Sequence, residues 1–255
     1  MKKILQFLGI NFETGISNVK GLIWYISDYR KFKAQNKLNT EFSISKLFPI
    51  IHDKFDSSGV LSGHYFHQDL YIAQMIYNQN PSKHVDIGSR TDGFVAHVAS
   101  YREIEVFDIR PLESNVTNIR FIQSDFTSIE PKLENYTDSI SCLHAIEHFG
   151  LGRYNDKIDN DGHLKGLNAI CKTLKKGGIF YFSTPIGPQR IEFNAHRVFA
   201  LKYLLDLLEK DYDLLSFSYV DDKGDLYKNV KLTPKDIDSN LDCIYGCGIF
   251  ILKKK

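Results

Sequence analysis

Apolar and polar positions alternate over short runs that begin near residue 83 and recur to the end of the chain. Strands are expected near 83–88, 103–108, 118–123, 138–144, 178–184, 214–220 and 246–252. Between some of them the apolar period becomes helical, predicting helices near 93–101, 161–175 and 195–210. In 195–210 one face is Val198, Leu201, Leu204, Leu205 and Leu208. In 161–175 it is Leu164, Leu167, Ile170, Cys171 and Leu174, with Gly177-Gly178 read as the C-cap. The connections 109–117 and 124–137 are short for helical crossovers, so one or both hold only a turn of helix. Residues 221–242 read as a long polar loop, and the final strand is expected to run antiparallel at a sheet edge. The pattern predicts an α/β fold: a doubly wound, mostly parallel, seven-stranded sheet over residues 81–255.

Residues 1–80 read as a helical N-terminal extension. Ile16, Val19, Leu22, Ile23, Ile26 and Tyr29 fall at helical spacing, beside the basic Lys20, Arg30, Lys31, Lys33 and Lys37. Such a stripe is expected to pack on the domain, and its basic character also suits peripheral contact with an anionic membrane. After Pro49 a second helical stretch runs through Leu70, Ile72, Ala73, Met75 and Ile76. Residues 60–76, with Tyr65 and His67, are expected to cover the pocket beside the sheet.

Composition narrows the picture little. Lys plus Arg is 32 and Asp plus Glu is 31, which argues against bulk nucleic-acid binding. The four cysteines have no C-x-x-C spacing and read as reduced core thiols of a cytoplasmic protein. The start Met1-Lys2-Lys3 and the apolar run after it resemble a weak signal sequence without a small-residue cleavage site. No stretch has the roughly 18 apolar residues that a membrane span needs.

The candidate chemistry gathers around His84-Val85-Asp86-Ile87-Gly88-Ser89-Arg90-Thr91-Asp92-Gly93. A strand ends at Gly88, and Gly93 opens a helix, so bare backbone can approach a ligand. Asp108 ends the next strand at the distance expected of a ribose-binding acid, about 20 residues on. The pattern lacks the central glycine of G-x-G-x-x-G, and Arg90 stands in the turn. Asp86 before the glycine suits a cationic ligand better than a pyrophosphate. These departures favour S-adenosylmethionine over NAD. Asp86 would meet its ammonium group and Arg90 its carboxylate.

This order of acidic-glycine turn, acid after strand two and acid after strand three resembles the class I S-adenosylmethionine-dependent methyltransferases, which have a Rossmann-like fold. The resemblance covers residues 83–252. It implies cofactor contacts from Asp86, Gly88, Ser89, Arg90 and Gly93, ribose binding by Asp108 beside Ile109, and adenine contacts from Asp125 and Phe126. It also places Leu143 to His148 beside the transferred methyl group. The run from His144 to Tyr154 resembles a methyltransferase-like family of bacterial surface-polysaccharide gene clusters. That resemblance implies a sugar, nucleotide-sugar or glycan acceptor; Arg153 and Arg197, with Tyr154 beside them, are expected to hold a phosphate or carboxylate on it, and the protein is expected in the cytoplasm, with the inner face of the membrane as a further expected place.

A sugar hydroxyl is a poor nucleophile and needs a general base or a metal ion. His144, Glu147 and His148 share one face if helical, and His196 follows the neighbouring strand. The set resembles metal-dependent O-methyltransferases that carry Glu-x-x-Glu-His, with His144 in the first position. Glu147, His148, His196 and His144 are therefore expected to hold a divalent ion, or His148 to act as base with Glu147 orienting it. The rival readings are a methyltransferase for another small molecule or an RNA terminus, and a cofactor-binding pseudoenzyme that scaffolds glycan assembly.

Overall fold

The computed structural model describes residues 12–38, 41–113, 115–128 and 131–255. The signal-like start, residues 1–10, and the side chain of Ile16 lie outside the described residues. Two compact units divide the chain, Met1–Val60 and Leu61–Lys255. The expected boundary at residue 80 falls inside the second.

The first unit holds one long helix, α1 (Phe12–Gln35). Val19, Leu22, Ile23 and Ile26 are exposed, so the stripe does not find the expected packing within its own unit. Lys54 pairs with Asp28 at 2.5 Å and sits over the Trp24 ring. Only a short 3-10 turn, Asp53–Phe55, follows Pro49 before residue 60. Among the described residues no helix is long and apolar enough to cross a membrane.

The second unit opens with α2 (His64–Gln79) and then builds the sheet. Its strands are β1 (His84–Ile87), β2 (Ile104–Asp108), β3 (Ile119–Gln123), β4 (Thr137–Leu143), β5 (Leu174–Ile186), β8 (Tyr212–Val220), β9 (Leu226–Tyr227) and β10 (Gly246–Lys254). They lie in the order β3-β2-β1-β4-β5-β10-β8-β9. Strands β1 to β5 pair in parallel, with Val85 opposite Glu105 on one side and Ile140 on the other. A π turn (Thr91–Val95) runs into α3 (Ala96–Ala99) after β1. Helices α4 (Gly162–Thr173), α5 (Leu201–Leu208) and α6 (Pro234–Asp238) follow. β6 (Arg190–Glu192) and β7 (His196–Val198) form a separate antiparallel hairpin.

Both faces of the sheet are covered, as parallel strands require. Val85, Ile87 and Phe107 pack with Ile170 and Leu204 on one face. Ile104, Val106 and Leu143 pack with Ile72, Ile76 and Phe94 on the other. On that second face His84 is fully buried between strands, its ring nitrogens 2.8 Å from Ser139 Oγ and 3.1 Å from Ser141 Oγ. Burial, aided by Arg102, pushes its pKa down to about 3. The unfolded chain therefore binds a proton there below about pH 6.5 that the folded chain refuses, so acid removes stability. Relative to His84→Gln, the native protein should lose about 1.4 kcal/mol per pH unit between roughly pH 6 and 4. Denaturant melts across that window read this difference, and parallel curves for the two proteins would refute it.

Four local expectations are corrected. β10 is antiparallel but lies between β5 and β8, not at an edge. Its residues from Gly246 to Leu252 are all buried, and apolar side chains on both faces require a neighbour on each side. The run 195–210 is not one helix. The Phe199 backbone bonds to Pro185 and Gly187 at the end of β5, which keeps 196–199 extended and starts α5 at Leu201. Gly177-Gly178 do not cap α4, whose next residue, Leu174, is already extended. The glycines sit within β5 where its register against β4 shifts, and Gly177 has φ 76°. Residues 221–242 contain β9 and α6. The α6 start was readable as Thr233-Pro234-Lys235-Asp236, a capping box with proline in the first turn.

Candidate active site

Chain order reverses between β1 and β4, and ligands of such sheets bind at the strand carboxyl ends beside that point. A cleft with about 850 Å³ of empty space opens there. Its floor is the turn after β1. Gly88 has φ 68° and donates its N–H to Phe107 O at 2.8 Å. A side chain there would be strained and would press on Ala145. Gly93 does not line the cleft. It lets the π turn pass Asp69, whose Oδ2 would lie 2.4 Å from an added Cβ.

Asp86 does not face the cleft either. It is fully buried and accepts from Ser89 N at 3.0 Å, Ser89 Oγ at 2.6 Å and Ser141 Oγ at 2.5 Å. Ser89 Oγ in turn accepts from Leu143 N at 3.0 Å. The pair thus ties the end of β1 to the end of β4. An ammonium contact from Asp86 is corrected to this brace, because its oxygens are enclosed and committed to neighbouring donors. Burial raises its pKa to about 6 against the pull of those hydrogen bonds.

Asp108, Ile109, Asp125 and Phe126 all line the cleft, as expected. Thr127 donates twice to Asp125 Oδ1. Phe126 is buried against Phe107. Asp108 is already engaged: Arg110 donates to Oδ1 from Nε at 2.9 Å and to Oδ2 from Nη2 at 2.6 Å. Arg110 lines the cleft and lies over the Tyr154 ring, a role that sequence reading missed. Its signal was the spacing Asp108-Ile109-Arg110, which allows a local carboxylate fork. The Arg110 backbone N–H also donates to Oδ1 at 2.8 Å, so three of about four acceptor sites on this carboxylate are taken and one remains for a ribose hydroxyl. Arg90 lines the opposite side, forked with Asp92 and over Tyr65.

After β4 the backbone turns sharply at His144, with φ 49°, and a 3-10 turn spans Ile146–His148. His144 Nδ1 lies 2.8 Å from Glu147 Oε1, both side chains buried. Burial disfavours charge on both. For His144, Cys247 and Glu147 outweigh burial and raise the pKa. For Glu147, His144 outweighs it, and the carboxyl is held below its ordinary range. His148 Nδ1 donates to Ala195 O at 2.7 Å, which leaves Nε2 as the basic nitrogen, 3.9 Å from Glu147 Oε1. Burial lowers the His148 pKa, with Glu147 pulling upward. His144, His148 and Tyr154 line the cleft.

The four-residue metal set does not assemble. Glu147 lies between two histidines, but His196 stands on β7 with Nε2 facing Glu192 at 3.5 Å, and His148 uses Nδ1 on Ala195. His196 begins no helix, and the hairpin sets its direction. Of the acceptor candidates, Arg153 is exposed and donates to Ala195 O at 2.9 Å. Arg197 is buried and donates to Phe149 O and Asn160 O, so it clamps the loop after β4 instead of facing a ligand. Tyr65 lines the cleft as expected of α2, whereas His67 does not.

The strand order, the antiparallel insertion of β10 and the cleft define a Rossmann-like fold of the class I methyltransferase type. A solved structure of 1,6-didemethyltoxoflavin-N1-methyltransferase from Burkholderia thailandensis, with S-adenosylhomocysteine bound, has this fold at TM-score 0.52 and 15% identity, covering 74% of this chain and 78% of that one. N-methyltransferase NodS from Bradyrhizobium japonicum is also similar, at TM-score 0.49 and 11% identity over 75% and 88% of the two chains. An S-adenosylmethionine-dependent methyltransferase from Clostridium acetobutylicum matches at 0.49 and 14% over 74% and 91%. No curated protein matches the sequence. Residues 101–254 match the family described as Caenorhabditis protein of unknown function, DUF268, and the chain belongs to that family.

Proposed function

We propose that this chain is an S-adenosylmethionine-dependent O-methyltransferase whose acceptor is a hydroxyl of a sugar, nucleotide sugar or surface glycan. The observation that carries the reading is His148: an imidazole with a fixed tautomer, its basic nitrogen spared, on the wall of the cleft that holds Gly88 and Asp108. The donor set suits the cofactor. Gly88 offers bare backbone, Asp108 two carboxylate oxygens at the end of β2, and Phe126 with Asp125 an apolar and acidic pair after β3. The cofactor supplies the electrophilic methyl group and its leaving group. His148 Nε2 takes the proton of the attacking hydroxyl, and the Glu147 carboxylate stabilises the imidazolium across 3.9 Å. The sugar class rests on the resemblance of residues 144–154 and on the need of a hydroxyl for such a base.

Asp108→Ala should weaken S-adenosylhomocysteine binding by about 1.5–3 kcal/mol, the range for hydrogen bonds to a charged group. Isothermal calorimetry decides it. A protein that binds neither S-adenosylmethionine nor S-adenosylhomocysteine, yet binds NAD, would end the reading. Binding without any labelled methyl transfer to a panel of sugar nucleotides and lipid-linked glycans would instead favour the scaffold.

A further inference from the structure

A second cluster meets the cleft at His144 and extends away from it to residues that the proposed chemistry does not use. His64 at the start of α2, His144 after β4 and Cys247 in β10 each offer one ligand atom, and all three atoms lie within 4.8 Å of one another. Three segments far apart in sequence converge to make the cluster. Cys247 is fully buried and His144 is 7% exposed. His144 Nε2 is buried without a hydrogen-bond partner among the described residues. Its other ring nitrogen bonds Glu147, and Glu147 Oε2 accepts from Thr184 Oγ1. A carboxylate on the far nitrogen of an imidazole is how metal-ligating histidines are held in tautomer and direction. The His64 and His144 rings stack 5.2 Å apart, and Tyr245 stacks on the outer face of His64.

We propose that His64, His144 and Cys247 form a three-ligand site for a borderline-soft divalent ion of the Zn²⁺ type. Two imidazoles and one thiolate are a nitrogen and sulfur set, which excludes Mg²⁺ and Ca²⁺ as natural occupants. With bonds of about 2.0–2.1 Å to nitrogen and 2.3 Å to sulfur, ligand atoms lie on the order of 3.3–3.6 Å apart. Side-chain rotation supplies the remaining ångström. On binding, sulfur–metal and nitrogen–metal bonds replace the Cys247 S–H bond and the Nε2–H bond of a protonated His144, and each displaced proton leaves to water. The fourth position is left for water or a ligand. The ion would pin the first turn of α2, and with it Tyr65, against the strand ends at the cleft wall. This set shares only His144 with the expected Glu147, His148, His196 and His144 grouping and does not depend on methyl transfer.

The test uses the full chain, stripped with a chelator and dialysed against Zn²⁺ alone, with Co²⁺ as the spectroscopic probe. One equivalent should bind, with proton release and a thiolate-to-cobalt charge-transfer band. Cys247→Ser should remove that band, and His64→Ala should weaken Zn²⁺ binding at least about 100-fold, more than the 10–100-fold typical of supporting residues. His148→Ala and His196→Ala should bind as the native chain does. Absence of the band in folded, cobalt-loaded native protein would overturn the proposal, whatever the variants do. So would Zn²⁺ binding that survives His64→Ala but is lost in His196→Ala.

Discussion

His148→Ala is expected to lower the rate of methyl transfer by about 10²–10⁴-fold, the contribution of a positioned general base. Binding of S-adenosylhomocysteine should stay within about twofold, because the groups proposed to meet the cofactor are Gly88, Asp108 and Asp125. The direction of the pH profile follows from the same residue. The transfer needs His148 unprotonated, and burial holds its pKa below the ordinary 6.5. Turnover should therefore be level at neutral pH and fall only as pH drops below that value. Single-turnover transfer of a labelled methyl group measures both. A His148→Ala protein with native turnover would show that another group takes the proton, and the proposed chemistry would fail.

Asp86→Ala should cost about 3–5 kcal/mol of folding stability. Three donors, Ser89 N, Ser89 Oγ and Ser141 Oγ, converge on its carboxylate in a fully buried place. Each buried donor left without a partner costs about 1–3 kcal/mol, and hydroxyls recover part of that by turning to other acceptors. The pH signature is opposite to that of His84. The folded carboxyl has a pKa of about 6 against an ordinary 3.8, so the folded chain holds a proton that the unfolded chain releases. Its contribution is greatest in acid and shrinks as pH rises through that window. Relative to Asp86→Asn, native stability should decline from about pH 4 to 6, while relative to His84→Gln it should climb. Chemical denaturation of the three proteins at several pH values tests both signs. An Asp86→Ala protein as stable as the native one would mean that the brace between β1 and β4 is not as described.

Much of the fold follows from local pattern. Short apolar runs located seven strands of the sheet to within a few residues at their ends, since strands buried on both faces read as compact apolar runs bounded by turn residues. Gly88, Asp108, Asp125, His144 and His148 also line the cleft, the first two singled out by the pattern and the others by the family resemblance. A sheet of this type brings the ends of its strands to one edge, so chain order alone implies that neighbourhood.

What tertiary structure decided is direction and partnership. Sequence placed Asp86 beside the glycine turn, but only the pairing of β1 with β4 brought Ser141 to its carboxylate and kept it out of the cleft. Arg197 and His196 are adjacent in sequence and take opposite fates: the β6–β7 hairpin buries Arg197 under the loop after β4 and leaves His196 beside Glu192. Arg110 reached Asp108 because the chain leaving β2 bends back on itself. The meeting of His64, His144 and Cys247 depends on β10 entering between β5 and β8, a step with no local signal. Periodicity records which face of an element is buried. It carries no information about which distant element covers that face, and the donors, tautomers and ligand sets of this protein depend on that choice.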